Sequence, residues 1–113
     1  LRPNIAQRPQ VADQRSEIGH WELDTIQGHK DGKDSVVLVM TDRFSRVNIT
    51  RKITNKTAYA VNHFLLIASE AWQEAYYRIF KTITSDNGSE FSELTRVHDH
   101  VFYTDPYSPW ERG

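Results

Sequence analysis

Two aspartates, Asp24 and Asp86, stand where a carboxylate can do chemistry. The run from Arg78 to Ser85 is rich in aromatic and β-branched residues and favours a strand, and Asp86-Asn87-Gly88 then breaks it with a tight turn. Taken alone, Asp86 serves equally well as a turn former bonding its local backbone. Asp24 lies within His20-Trp21-Glu22-Leu23-Asp24-Thr25-Ile26, which alternates large apolar with polar residues. A short acidic residue in mid-strand is a poor choice for stability alone. Two carboxylates brought face to face repel unless they are protonated or bridged. A divalent metal is the bridge that also does work.

The remaining elements must bring these residues together. A first strand is expected at about 20–28, followed by a polar turn from Gly28 to Asp34. Ser35 to Thr41 is a continuous apolar run, read as a central strand buried on both faces. After Asp42-Arg43-Phe44-Ser45, the alternation from Arg46 to Lys52 is that of an edge strand, so the first half is a three-stranded antiparallel meander. Asn55 or Thr54 can cap a helix over about 57–76, whose apolar stripe is Ala58, Val61, Leu65, Ala68 and Trp72, widened by Phe64 and Ala71. His63 and Glu70 fall off that stripe and are expected in solvent. A strand at about 79–85, a short helix at about 89–96 over Phe91 and Leu94, and a last strand at 100–104 follow. The helical crossover allows the fourth strand to lie parallel to the first, with Asp24 and Asp86 facing each other.

The 113 residues have room for one core. With 14 basic and 15 acidic residues, no overall field marks the chain as a nucleic-acid or membrane binder. The absence of cysteine removes disulfides, thiolate catalysis and cysteine-ligated zinc. No apolar run has the length of a membrane span and no signal-peptide pattern opens the chain, which reads as soluble and intracellular. Residues 1–18 read as an arm or linker and 19–113 as the core, the whole being an excised fragment. Arg2, Arg8 and Arg15 of the arm, with Arg43 farther on, can touch phosphates, though solvated charges are the commoner case. The five histidines read as ordinary polar residues, with only His98 and His100 standing two apart on a strand.

Taken together, the words Ile5 with Arg8-Pro9 and Arg15, Gly19-His20-Trp21-Glu22-x-Asp24-Thr25, Thr41-Asp42-Arg43-Phe44-Ser45-Arg46, Asn55-Lys56-Thr57-Ala58, Thr84-Ser85-Asp86-Asn87-Gly88-Ser89-Glu90-Phe91, and Asp105-Pro106-Tyr107-Ser108-Pro109-Trp110-Glu111-Arg112-Gly113 resemble the catalytic core of DDE transposases and retroviral integrases. More narrowly, they resemble the insertion-sequence thirty family of bacterial transposases. Each word is weak; six in the family's order are strong.

The resemblance implies an α/β, ribonuclease H-like fold with a five-stranded mixed sheet, a three-stranded antiparallel meander plus two parallel strands, flanked by helices. It makes Asp24 and Asp86 the first two acids of a DDE triad, and both catalytic and metal-binding residues. The third, a glutamate, is placed beyond Gly113, so the core is truncated before its last catalytic helix and the fragment is expected to be inactive; Glu111 is rejected for the role. Glu22, on Asp24's strand face, with Asn87 and Gly88, would support the site, and Trp110 and Arg112 are candidates to contact DNA, a packed tryptophan being the alternative for Trp110. Two Mg2+ (or Mn2+) ions would serve phosphodiester cleavage and strand transfer at transposon ends. Terminal inverted repeats and target DNA would be the partners, with a homodimer or larger assembly at work in the bacterial cytoplasm, beside the nucleoid. A nuclease on the same fold, and an inactive remnant that binds DNA or a partner, stand as alternatives.

Overall fold

The computed structural model describes residues 17–30 and 33–104. Five strands form one mixed sheet: β1 (His20–Lys30), β2 (Lys33–Asp42), β3 (Asn48–Ile53), β4 (Thr82–Ser85) and β5 (Val101–Tyr103), in the order β3-β2-β1-β4-β5. The meander is antiparallel, whereas β4 lies parallel to β1, and β5 parallel to β4. This is the expected topology, with β3 at the edge. The first hairpin is tighter than expected. Gly28 pairs with Ser35 and Lys30 with Lys33, so the ladder runs on through the stretch read as a polar turn. Continued pairing outweighs the turn propensity of one glycine there.

One side of the sheet carries the core. Trp21 and Leu23 of β1, Val36, Leu38 and Met40 of β2, Ile83 of β4, and Val101 and Tyr103 of β5 join Ala60, Val61, Leu65 and Ala68 of the helix α1 (Ala58–Trp72) in a single cluster. On β2 the alternate residues Val37 and Val39 are only half-buried, and Ile26 of β1 is exposed. The apolar run of β2 is therefore fully buried on one face, not on both, because α1 covers only that face.

Helix α1 is capped by Thr57, whose backbone is extended and whose side-chain oxygen accepts the Ala60 N–H at 3.2 Å. Asn55 takes a different part, accepting the Thr57 hydroxyl. The buried stripe includes Ala60 rather than Ala58, and Ala71 is exposed. His63 and Glu70 are exposed as expected. The helix ends at Trp72, the last residue of the stripe and short of the expected 76, because Gln73 turns to φ 47° and returns its N–H to the Ser69 carbonyl. A 3-10 turn (Gln73–Ala75) and a short helix α2 (Tyr76–Ile79) follow, so the fourth strand begins at Thr82, later than its aromatic composition suggested. Tertiary packing decides this stretch: Phe80 meets the rings of Trp21, Trp72 and Tyr76 at 5.2, 5.4 and 5.9 Å, and the Trp21 indole donates to the Ile79 carbonyl at 2.8 Å. Two 3-10 turns (Ser89–Phe91 and Leu94–Arg96) replace the short helix, with Phe91 and Leu94 fully buried beneath them.

Candidate active site

The register of the parallel pair positions the two aspartates. His20 lies opposite Thr82, Trp21 opposite Ile83 and Glu22 opposite Thr84. Two further steps along both chains reach Asp24 and Asp86. Both have the same strand parity, the side opposite Leu23 and Ile83. Asp24 is exposed between the buried Leu23 and the half-buried Thr25, and Asp86 is partly exposed just past the end of β4.

Each carboxylate takes a backbone N–H beside it. Asp24 Oδ1 accepts from Thr25 N at 2.8 Å, and Asp86 Oδ1 from Gly88 N at 2.8 Å. Asn87 donates its side-chain amide to the Thr104 carbonyl at 2.7 Å, tying the Asp86 turn to the chain just after β5. Gly88 has an ordinary backbone, but no room: a Cβ there would lie 2.3 Å from Glu90 Oε1 and 2.9 Å from Asp86 Oδ1. Glycine is thus needed for space and not for a left-handed turn.

Glu22 shares the Asp24 side of β1 and receives Arg43 Nη1 at 2.8 Å. Arg43 is buried, so it is neither the solvated charge nor the phosphate contact considered for it. Its neighbour Asp42, read in the sequence as part of a turn, is a buried hub. Asp42 accepts the Gly19 N–H at 2.8 Å, the Ser45 N–H at 2.8 Å and the Ser45 hydroxyl at 2.6 Å. Burial alone would raise its pKa, but the hydrogen bonds from Ser45 and Gly19 outweigh that and hold the carboxyl below its usual range. This hub fixes the start of β1 to the turn after β2.

His98 is buried and not an ordinary surface residue. Its Nε2 lies 2.7 Å from the Phe80 carbonyl, and its Nδ1 accepts the His100 N–H at 2.9 Å. Those partners require a proton on Nε2 and none on Nδ1. Burial pushes its pKa below the usual histidine value.

Trp110 and Arg112, with the arm before residue 17 and Glu111, lie outside the described residues. Among the described residues no three acids or histidines gather into a complete metal cage. Glu90, which stands near Asp86 in the sequence, joins this neighbourhood, and the structure adds Thr25 and Lys56 beside it. Thr25 Oγ1 donates to Glu90 Oε2 at 2.6 Å, and Lys56 Nζ stands 3.7 Å from the same oxygen.

A three-stranded meander, a helical crossover and a parallel strand followed at once by an aspartate define a ribonuclease H-like core. The integrase core domain matches residues 14–108, and the chain belongs to that family. It is 33% identical over its whole length to a probable transposase for the insertion-like sequence element IS1161 of Streptococcus salivarius, covering 32% of that protein. It is 33% identical over 96% of its length to the transposase InsI for insertion sequence element IS30C of Escherichia coli (strain K12), covering 28%. A transposase for IS4351 of Bacteroides fragilis is 31% identical over 99% of the chain, which covers 34% of that relative. The chain thus spans about a third of the length of the relatives it matches. No helix among the described residues is long and apolar enough to cross a membrane.

Proposed function

We propose that the chain is the catalytic core of a DNA transposase, a polynucleotidyl transferase that cuts and joins phosphodiesters at transposon ends, with Asp24 and Asp86 as two acids of a DDE site. The observation that supports this is the parallel β1–β4 register, in which Glu22 lies opposite Thr84, two residues before Asp24 on β1 and two before Asp86 in the turn after β4. Within the proposal, residues 1–18 are an arm and 19–113 the core. The partners are inverted-repeat and target DNA, in an assembly of at least two copies.

The donor set fits a hard divalent cation. Both groups are carboxylates within reach of solvent, and each is oriented by a backbone N–H. Asp24 and Asp86 would hold Mg2+ or Mn2+, which supplies activation of the attacking oxygen and charge stabilisation at the leaving 3′ oxygen. Thr25 N and Gly88 N fix the rotamers of the acids. Asn87 anchors the turn that carries Asp86, and the Glu22–Arg43 pair stiffens the strand that carries Asp24.

The test is a Mn2+ titration of the isotope-labelled chain followed by NMR, with Asp24→Asn and Asp86→Asn alongside. Broadening that begins around both aspartates in the wild type and weakens in both variants is expected. Broadening scattered over surface acids, alike in all three proteins, would refute the shared site. Strand transfer by the full-length parent separates a transposase from a nuclease, which would hydrolyse without joining.

A further inference from the structure

Glu90 is 4% exposed, in a turn also held by the burial of Phe91 and by the Phe91 N–H donated to the Gly88 carbonyl. A buried carboxylate is costly unless partners compensate, and an apolar side chain would fill the same place without that penalty. Its partners explain its position. Oε2 accepts the Thr25 hydroxyl at 2.6 Å and faces Lys56 Nζ at 3.7 Å, while Oε1 occupies the space a Cβ on Gly88 would need. Thr25 and Gly88 are the two residues whose N–H groups orient Asp24 and Asp86. One buried side chain therefore bears on both.

We infer that Glu90 is a positioning residue of the Asp24–Asp86 site: it ties β1 at Thr25 to the turn at Gly88, and so sets the separation and facing of the two carboxylates. It also draws Lys56, from the residue before the Thr57 cap, to the rim of the same cluster. The inference rests on the carboxylate pair proposed above for its functional meaning, but the mechanical tie is measurable without metal.

The test uses Glu90→Ala, Thr25→Val and Thr25→Ser in the same chain. The first readout is amide exchange of Thr25 and Gly88 without metal; the second is the Mn2+ concentration that broadens Asp24 and Asp86. Thr25→Val keeps the side-chain shape and removes only the hydroxyl, so it decides the matter if Glu90→Ala fails to fold. Both amides should exchange faster in Glu90→Ala and Thr25→Val while Leu23 and Leu38 are unchanged. The Mn2+ midpoint should rise about tenfold, the usual effect of removing a group that orients a ligand. Thr25→Ser should restore both. The inference is overturned if Thr25 and Gly88 change only in step with Leu23 and Leu38, or if Thr25→Val matches the wild type. A wild type that shows no broadening at either aspartate sinks the metal site, and the exchange data still decide the tie.

Discussion

Arg43 Nη1 lies 2.8 Å from Glu22 Oε1, with the arginine 4% and the glutamate 11% exposed, so the pair is screened little by water. Breaking such a pair strands a charge. Arg43→Ala is expected to lower unfolding free energy by about 3 kcal/mol, and the double variant Glu22→Leu/Arg43→Met by much less, because it leaves no charge behind. Urea unfolding of the two proteins is the measurement.

Asp42 supplies a second expectation, with a sign set by its depressed pKa. Its stabilising effect is present above the usual aspartate value and is lost as the pH falls through the lower, folded-state value. Asp42→Asn retains one acceptor oxygen for donors from Gly19 and Ser45, and should lose roughly 1–3 kcal/mol at neutral pH. Compared between pH 5 and pH 2, the variant should show a flatter decline in stability than the wild type.

His98 governs a different window. Its neutral form is held by Phe80 and His100, and burial disfavours the charged form. With the folded-state pKa below that of the unfolded chain, stability is complete above about pH 6.5 and falls as the pH drops further, since the unfolded state takes up the proton first. A histidine-resolved NMR titration should give His98 a midpoint below that of free histidine. An ordinary midpoint would contradict the buried neutral ring.

Gly88→Ala tests crowding rather than backbone strain. The added methyl would press on Glu90 Oε1 and Asp86 Oδ1. Overpacking of this kind typically costs about 1–3 kcal/mol, and the Asp86 and Gly88 amide signals should move most. Gly19 differs, since its φ of 106° would itself strain any substituent.

The meander and the crossover were legible in the chain because each rests on local periodicity: the alternation of β1 and β3, and the three-to-four spacing of Val61, Leu65 and Ala68. The same periodicity misled at Trp72. The helix was expected to run to about 76, but Gln73 reverses the backbone, and the aromatic run that resembles a strand is spent on packing around Phe80. Strand order was enough to propose Asp24 and Asp86 as a pair, and Glu90 stood near that site in the sequence. The burial of Asp42, Arg43 and Glu90 was not legible, because a buried acid or base is distinguished from a surface one only by partners far away in the chain, such as Gly19, Glu22 and Thr25.

The parallel pairing of β1 with β4 also has a consequence in time. Strands β1 to β3 are neighbours in sequence, whereas His20 and Thr82, and with them Asp24 and Asp86, are separated by 62 residues. Local contacts form sooner than distant ones, so the hairpins are expected to precede the docking of β4. In the proposed site, mutual repulsion of the two acids would be felt only at that closure. A cation bound between them would stabilise the finished sheet more than the state that leads to it, and should slow unfolding while leaving the rate of folding nearly unchanged.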